Sequence, residues 1–217
     1  MELSKGTRSM VLSSEKAFGS MDTVYCQARE KASEIATALA GVDYKVYIYL
    51  RSQVSWIESA YIQRIQAGFE DDPLEFGKEI LNQSNFSWFR LVNEISTHID
   101  KSRIHLIPYI PGTNVVGNFY TAANLRPIPK KARLAVNRSI SPTEAQLVRR
   151  AFKGSGFIDE RISLVHALQY SKAKSLNLFD YSMPDDIRHE AWCLQQRDAA
   201  ELMNFDLNEK WLSEDWL

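Results

Sequence analysis

The sequence predicts an α/β fold: a parallel sheet flanked by helices, followed by an all-helical C-terminal part. Three observations carry this. Apolar runs of strand length alternate with segments of helical period through the first half of the chain. One of those runs, Lys45–Leu50, is apolar on successive residues, the pattern of a strand covered on both faces in a parallel sheet. From Thr143 onward only helical periodicity remains.

The elements follow in order. Met10–Ser13 is a short apolar run, read as a strand, that ends at Ser14 and Glu15. Val24, Ala28, Ala32, Ile35 and Leu39 then recur at spacings of four and three, one face of an amphipathic helix, with Gly41 at a natural C′ position. Lys45–Leu50 is the next strand and Arg51 ends it. Val54, Ile57, Tyr61 and Ile65 mark a helix that stops near Gly68. Glu70, Asp71, Asp72 and Pro73 open another, placing negative charge at its positive end. Trp88, Leu91, Ile95 and Ile99 define one more, and Arg103–Tyr109 is the third strand, closed by Pro111 and Gly112. The C-terminal helices span Pro142–Lys153, Asp159–Tyr170 and Pro184–Asn204. The last starts well, with proline near N1 and acids in its first turn. No internal repeat or flexible linker interrupts the chain. One domain over 1–217 is expected, with a sheet portion at 1–125 and a helical portion at 126–217.

Composition narrows the function classes. The 217 residues carry 26 basic and 27 acidic side chains, a formal charge of −1, so whole-chain charge gives no reason to expect nucleic acid or an anionic membrane as partner. Cys26 and Cys193 lie far apart and match no metal-ligand spacing. No apolar run approaches the ~18 residues that span a bilayer, and the first residues lack the apolar core of a secretory signal. A soluble cytoplasmic protein is the expectation. Charge is segregated locally: Arg126–Lys153 holds eight basic residues against Glu144 alone, and Asp180–Leu217 holds ten acids against three bases. Two readings fit, solvated faces that attract one another or a basic stretch that faces an anionic ligand.

The usual nucleotide, hydrolase and metalloprotease motifs are absent, and the four histidines form no ligand cluster. The strongest local signal is the turn from strand to helix at Arg51. An arginine at the carboxyl end of a parallel strand sits where ligands collect in open α/β sheets. The helix after it offers N–H groups and a partial positive charge. Ser59 lies two turns along that helix. A guanidinium fork and a hydroxyl converging on one point suit a phosphate. The alternative is that Arg51 pairs with a surface carboxylate and Ser59 is merely exposed.

These residues resemble the 3′-phosphate-binding segment of sulfotransferases that use 3′-phosphoadenosine 5′-phosphosulfate. In that superfamily a hydrophobic strand ends in arginine and a serine eight residues later binds the same phosphate, the spacing of Arg51 and Ser59. Val11–Glu15 is similar to an upstream strand end of bacterial members, and Asn137–Pro142 to their Asn-x-Ser-x-Ser-Pro pattern. Ile107–Tyr109 followed by Gly117–Phe119 matches their strand, loop and helix. The resemblance covers about residues 10 to 152.

It implies a P-loop-like sheet, with Arg51 and Ser59 holding the donor's 3′-phosphate. Glu15 falls where other branches place a catalytic histidine or glutamate, and would be the general base that takes the acceptor hydroxyl's proton. Its alternative role is a carboxylate at a helix N-terminus. Lys153–Gly156 is similar to a C-terminal Lys-Gly phosphate loop of the family. The implied reaction is transfer of a sulfuryl group from 3′-phosphoadenosine 5′-phosphosulfate to a hydroxyl of a carbohydrate or similar acceptor, with no metal. The chain departs from the family at its start. A Pro-Lys-x-Gly-Thr-Thr loop cradles the 5′-phosphosulfate there, whereas only nine residues precede Met10, and Lys5, Gly6 and Thr7 lack the loop's spacer residue. The expectation is an N-terminally truncated version of the fold. The second reading is a catalytically inactive or truncated nucleotide-binding or interaction protein of the same fold.

Overall fold

A computed structural model describes residues 10–14, 16–83, 86–110, 113–125, 140–170 and 183–205. Among them lie two strands, β1 (Val46–Leu50) and β2 (Ile104–Pro108), and eight α-helices. The helices are α1 (Ala28–Ala38), α2 (Gln53–Gln66), α3 (Pro73–Asn82), α4 (Trp88–Ser96), α5 (Val115–Ala122), α6 (Pro142–Phe152), α7 (Ile158–Tyr170) and α8 (Asp185–Leu202). The chain is α/β but mostly helical, and among the described residues the sheet is one parallel pair, with Val46 opposite Ile104 and Leu50 opposite Pro108, smaller than the P-loop-like sheet expected.

Met10–Ser13 is not a strand. Met10 and Leu12 are 79% and 77% exposed, and no described strand lies beside them to accept a ladder. β1 also departs from expectation. Of its five residues only Leu50 is buried, because the strand has one neighbour and two distinct faces. Val46, Ile48 and Leu50, with Ile104 and Leu106, point into the core. Tyr47 and Tyr49, with His105, point the other way. The run that reads as uniformly apolar is a period-two strand in which tyrosine, apolar in its ring and polar at its tip, occupies the second face. Helix α5 covers that face in part. The Tyr49 hydroxyl donates to the Val115 carbonyl at 3.3 Å, and Phe119 meets the Tyr47 ring edge-on at 5.4 Å.

The core is built around α2 and α8. Helix α2 packs against α3, α6, α7 and α8, and so buries Val54, Trp56, Ile57, Ala60, Tyr61, Ile62 and Ile65. Each aliphatic side chain of that size contributes about 1.5–3 kcal/mol when fully buried. Helix α4 lies between α1 and α8, where Ala28 and Ala32 of α1 present little side-chain bulk. Gly77 of α3 serves close approach to α8: a Cβ there would meet Ile187 Cγ2 at 2.6 Å.

Helix starts follow local chemistry. Ser52, Asp72, Ser87, Asn114 and Ser141 each accept a main-chain N–H of the helix they precede, worth about 1 kcal/mol apiece. Ser141 and Glu144 complete a capping box, the structural role of the serine in the Asn137–Pro142 motif. Asn137 itself lies outside the described residues. Pro184 is the N-cap of α8 rather than a residue of its first turn.

Candidate functional site

The turn from β1 to α2 places Arg51 at the carboxyl end of the strand, as the sequence predicts. Its Nε donates to the Ser55 Oγ at 3.0 Å, and its guanidinium lies over the Tyr109 ring, 5.1 Å from the centroid. Ser52 closes the group: its hydroxyl donates to the Ser55 Oγ at 2.8 Å and accepts from the Ser55 N–H at 3.2 Å. Among the described residues no carboxylate pairs with Arg51, and its two Nη atoms make no hydrogen bond. Ser59 is half-buried on α2, four residues beyond Ser55 and therefore on the same face one turn along. Its hydroxyl has no hydrogen-bond partner among the described residues.

Two features differ from expectation. Two of the leading N–H groups of α2 are already taken, since Ser52 accepts that of Ser55 and Gln195 Oε1 accepts that of Gln53 at 3.2 Å. Sequence reasoning misses Ser55, which touches the guanidinium, and marks Tyr109, which supports it, only as the end of a strand. The serine spacing carried the signal, because Arg51, Ser55 and Ser59 succeed one another at four-residue intervals. Glu15 lies outside the described residues, as do Lys5, Gly6 and Thr7.

Beneath this turn is a buried polar group. Asp198 of α8 is 4% exposed. Its Oδ2 accepts from Gln53 Nε2 at 2.7 Å and from the Trp88 main-chain N–H at 2.5 Å, and its Oδ1 from the Ser87 hydroxyl at 2.7 Å. Burial pushes the Asp198 carboxyl above its ordinary range, against the pull of these donors. The Trp88 indole N–H donates to the Arg51 carbonyl at 2.7 Å. Its ring packs with Tyr25, Trp56 and Phe86 in one aromatic cluster.

Arg149, from the basic stretch, finds a partner that the charge pattern does not reveal, and two further arginines join it. Arg149 of α6 reaches Asp72 at 3.3 Å and the Glu70 carbonyl at 3.2 Å. Arg161 of α7, 2% exposed, pairs with Glu70 at 2.7 Å and donates to the carbonyls of Gly68 and Phe152. Arg64 pairs with Asp71 at 2.8 Å. The acidic turn before α3 therefore engages three arginines from three helices. Lys153–Gly156 also meets an anion, but an internal one: the Gly154 N–H donates to Glu70 Oε2 at 2.9 Å.

That contact sets a pH dependence. The Gly154 N–H, and then Arg161, hold the Glu70 carboxyl below its ordinary 4.5. A lowered carboxylate contributes stability that is present above 4.5 and is lost as pH falls through the folded value. Thermal midpoints of the wild type and of Glu70→Gln, measured from pH 7 downward, should therefore converge below 4.5. Parallel curves through that range would show that Glu70 is not linked to folding. Asp198 has the opposite sign, stabilising below 3.8 and fading as pH rises through its raised folded value, but it is common to both proteins and cancels in the comparison.

Two clefts lie away from the Arg51 turn. One, of about 910 Å³, runs along α1 past Cys26, Arg29, Ser33 and His98. The other, of about 450 Å³, is lined by Tyr47, Lys101, His105 and Phe205. Cys26 and Cys193 are both free thiols. Among the described residues no group of three or more His, Cys, Asp or Glu side chains is placed to hold a metal, and no helix is long and apolar enough to cross a membrane. No family model, curated protein or solved structure matches the chain.

Proposed function

We propose that this protein is sulfotransferase-like and binds the 3′-phosphate of a 3′-phosphoadenosine nucleotide at Arg51 and Ser59, with Ser55 holding the guanidinium in place. One observation carries the reading: a guanidinium fixed on one edge by Ser55 and on its face by Tyr109, its other edge free of any described carboxylate, beside an unpartnered hydroxyl on the same helix face. A fork so oriented presents two parallel donors to a phosphate, the geometry that arginine serves and lysine does not. In the active form of the proposal, 3′-phosphoadenosine 5′-phosphosulfate is the donor, a carbohydrate-type hydroxyl is the acceptor, and Glu15 takes the acceptor's proton.

The alternative is a catalytically inactive nucleotide-binding protein that uses the same Arg51 site. Calorimetry with adenosine 3′,5′-bisphosphate tests both forms, and absence of binding at millimolar ligand would remove them together. A sulfuryl-transfer assay on wild type and Glu15→Gln then separates them. Transfer by the wild type, lost in Glu15→Gln, supports the enzyme; binding without transfer supports the silent form.

A further inference from the structure

The buried polar group under the Arg51 turn involves more than the core. Gln53, two residues after Arg51, is fully buried. Its side chain donates to Asp198 Oδ2 at 2.7 Å, while its main-chain N–H donates to Gln195, one turn earlier on α8. From the other side, the Trp88 main-chain N–H donates to the same Asp198 oxygen at 2.5 Å, and the Trp88 indole holds the Arg51 carbonyl at 2.7 Å. One carboxylate thus reaches the turn by two routes, through α2 and through α4. Ser87, the N-cap of α4, is tied to its second oxygen. A hydrophobic residue would fill the space more cheaply than a buried acid needing several donors. What the acid adds is direction, since two of its bonds fix Gln53, two residues from Arg51, and Trp88, which is bonded to Arg51, while the third ties the N-cap of the helix that carries Trp88.

We infer that Asp198 is a positioning residue for the Arg51 anion site, with α8 setting the attitude of the guanidinium through Gln53 and Trp88. Its effect on nucleotide affinity rests on the proposed function; its effect on the guanidinium does not.

Two variants test this. Asp198→Asn keeps the shape but turns an acceptor into a donor facing donors. Gln53→Met cuts only the α2 route and removes Gln53 Oε1, which is buried without a partner, so it should fold even if Asp198→Asn does not. The first readout is the Arg51 Nε–H resonance, assigned by its loss in Arg51→Lys. In the wild type it is expected apart from the exposed arginines and slow to exchange, because Ser55 accepts it. In both variants it is expected to move to the position of the exposed arginines. The second readout is affinity for adenosine 3′,5′-bisphosphate, expected to weaken about tenfold, the scale of one misdirected charge-assisted bond.

Retention of the wild-type resonance and affinity in folded Gln53→Met overturns the proposal. A purely structural Asp198 would lower the thermal midpoint and leave that resonance in place, which also overturns it. If the wild type binds no bisphosphate, the nucleotide reading falls, and the resonance alone decides the positioning role.

Discussion

Arg51→Ala should weaken binding of adenosine 3′,5′-bisphosphate about 100-fold or more while leaving the protein folded. The side chain is half-buried, and its contacts among the described residues are one bond to Ser55 and one packing contact with the Tyr109 ring. Truncation leaves the main-chain carbonyl in place, so the Trp88 bond that anchors the turn survives. The cost therefore falls on the ligand. Two charge-assisted hydrogen bonds to a phosphate, at ~1.5–3 kcal/mol each, correspond to a loss of that size or larger.

The control is a nucleotide without the group in question. Adenosine 5′-monophosphate should bind the wild type less well than the bisphosphate, and the difference should vanish in Arg51→Ala. Arg51→Lys should fall between, because an ammonium restores charge but can neither span two oxygens nor spread over Tyr109. If the bisphosphate binds and Arg51→Ala binds it equally well, the phosphate lies elsewhere and the site assignment fails. Ser59→Ala provides the finer measure, since its hydroxyl has no bond to lose among the described residues, and an unchanged thermal midpoint would assign a drop in affinity to the ligand.

What the sequence makes legible here is local. Helix α1, β1, α2, α3, α4, β2 and the three C-terminal helices lie within a few residues of where periodicity and capping residues put them, because apolar spacing and side-chain caps act over three or four residues. Arg51 at a strand end is equally local. The partnerships are not. Gln53 and Asp198 are separated by 145 residues, and Arg161 and Glu70 by 91. No period records which acid meets which base. The acids of α8 and the bases of α6 look complementary along the chain, yet Arg149 turns to Asp72 and the α8 acid Asp198 turns inward.

A trace of that inward turn is nonetheless present. Ile187, Ala191, Gln195, Asp198 and Leu202 form one helical stripe, buried throughout, with two polar members in its middle. A stripe of that kind announces buried donors elsewhere in the fold. The second face of β1 is hidden for a different reason: grouping tyrosine with the apolar residues masks the alternation of Val46, Tyr47, Ile48, Tyr49 and Leu50.

The largest loss of stability should come from Trp88. The residue is 2% exposed and lies 5.7 Å from Phe86 and 5.9 Å from Trp56, centroid to centroid. Trp88→Ala empties the middle of the aromatic cluster and should cost about 3–5 kcal/mol, read as a lower denaturant midpoint at unchanged slope. That loss alone does not distinguish packing from hydrogen bonding. Trp88→Phe does, since it keeps most of the ring and the main-chain bond to Asp198 but removes the indole N–H, leaving the Arg51 carbonyl without that donor. An orphaned acceptor costs about 1–3 kcal/mol. A Trp88→Phe variant within ~0.5 kcal/mol of wild type would mean that the carbonyl finds water at no penalty and the indole bond is incidental. Phe86→Leu supplies the comparison, because Phe86 is buried in the same cluster and makes no hydrogen bond to the turn through its side chain. It should lower stability without touching nucleotide affinity. Trp88→Phe should lower both, since the carbonyl it releases belongs to the residue whose side chain is proposed to hold the phosphate.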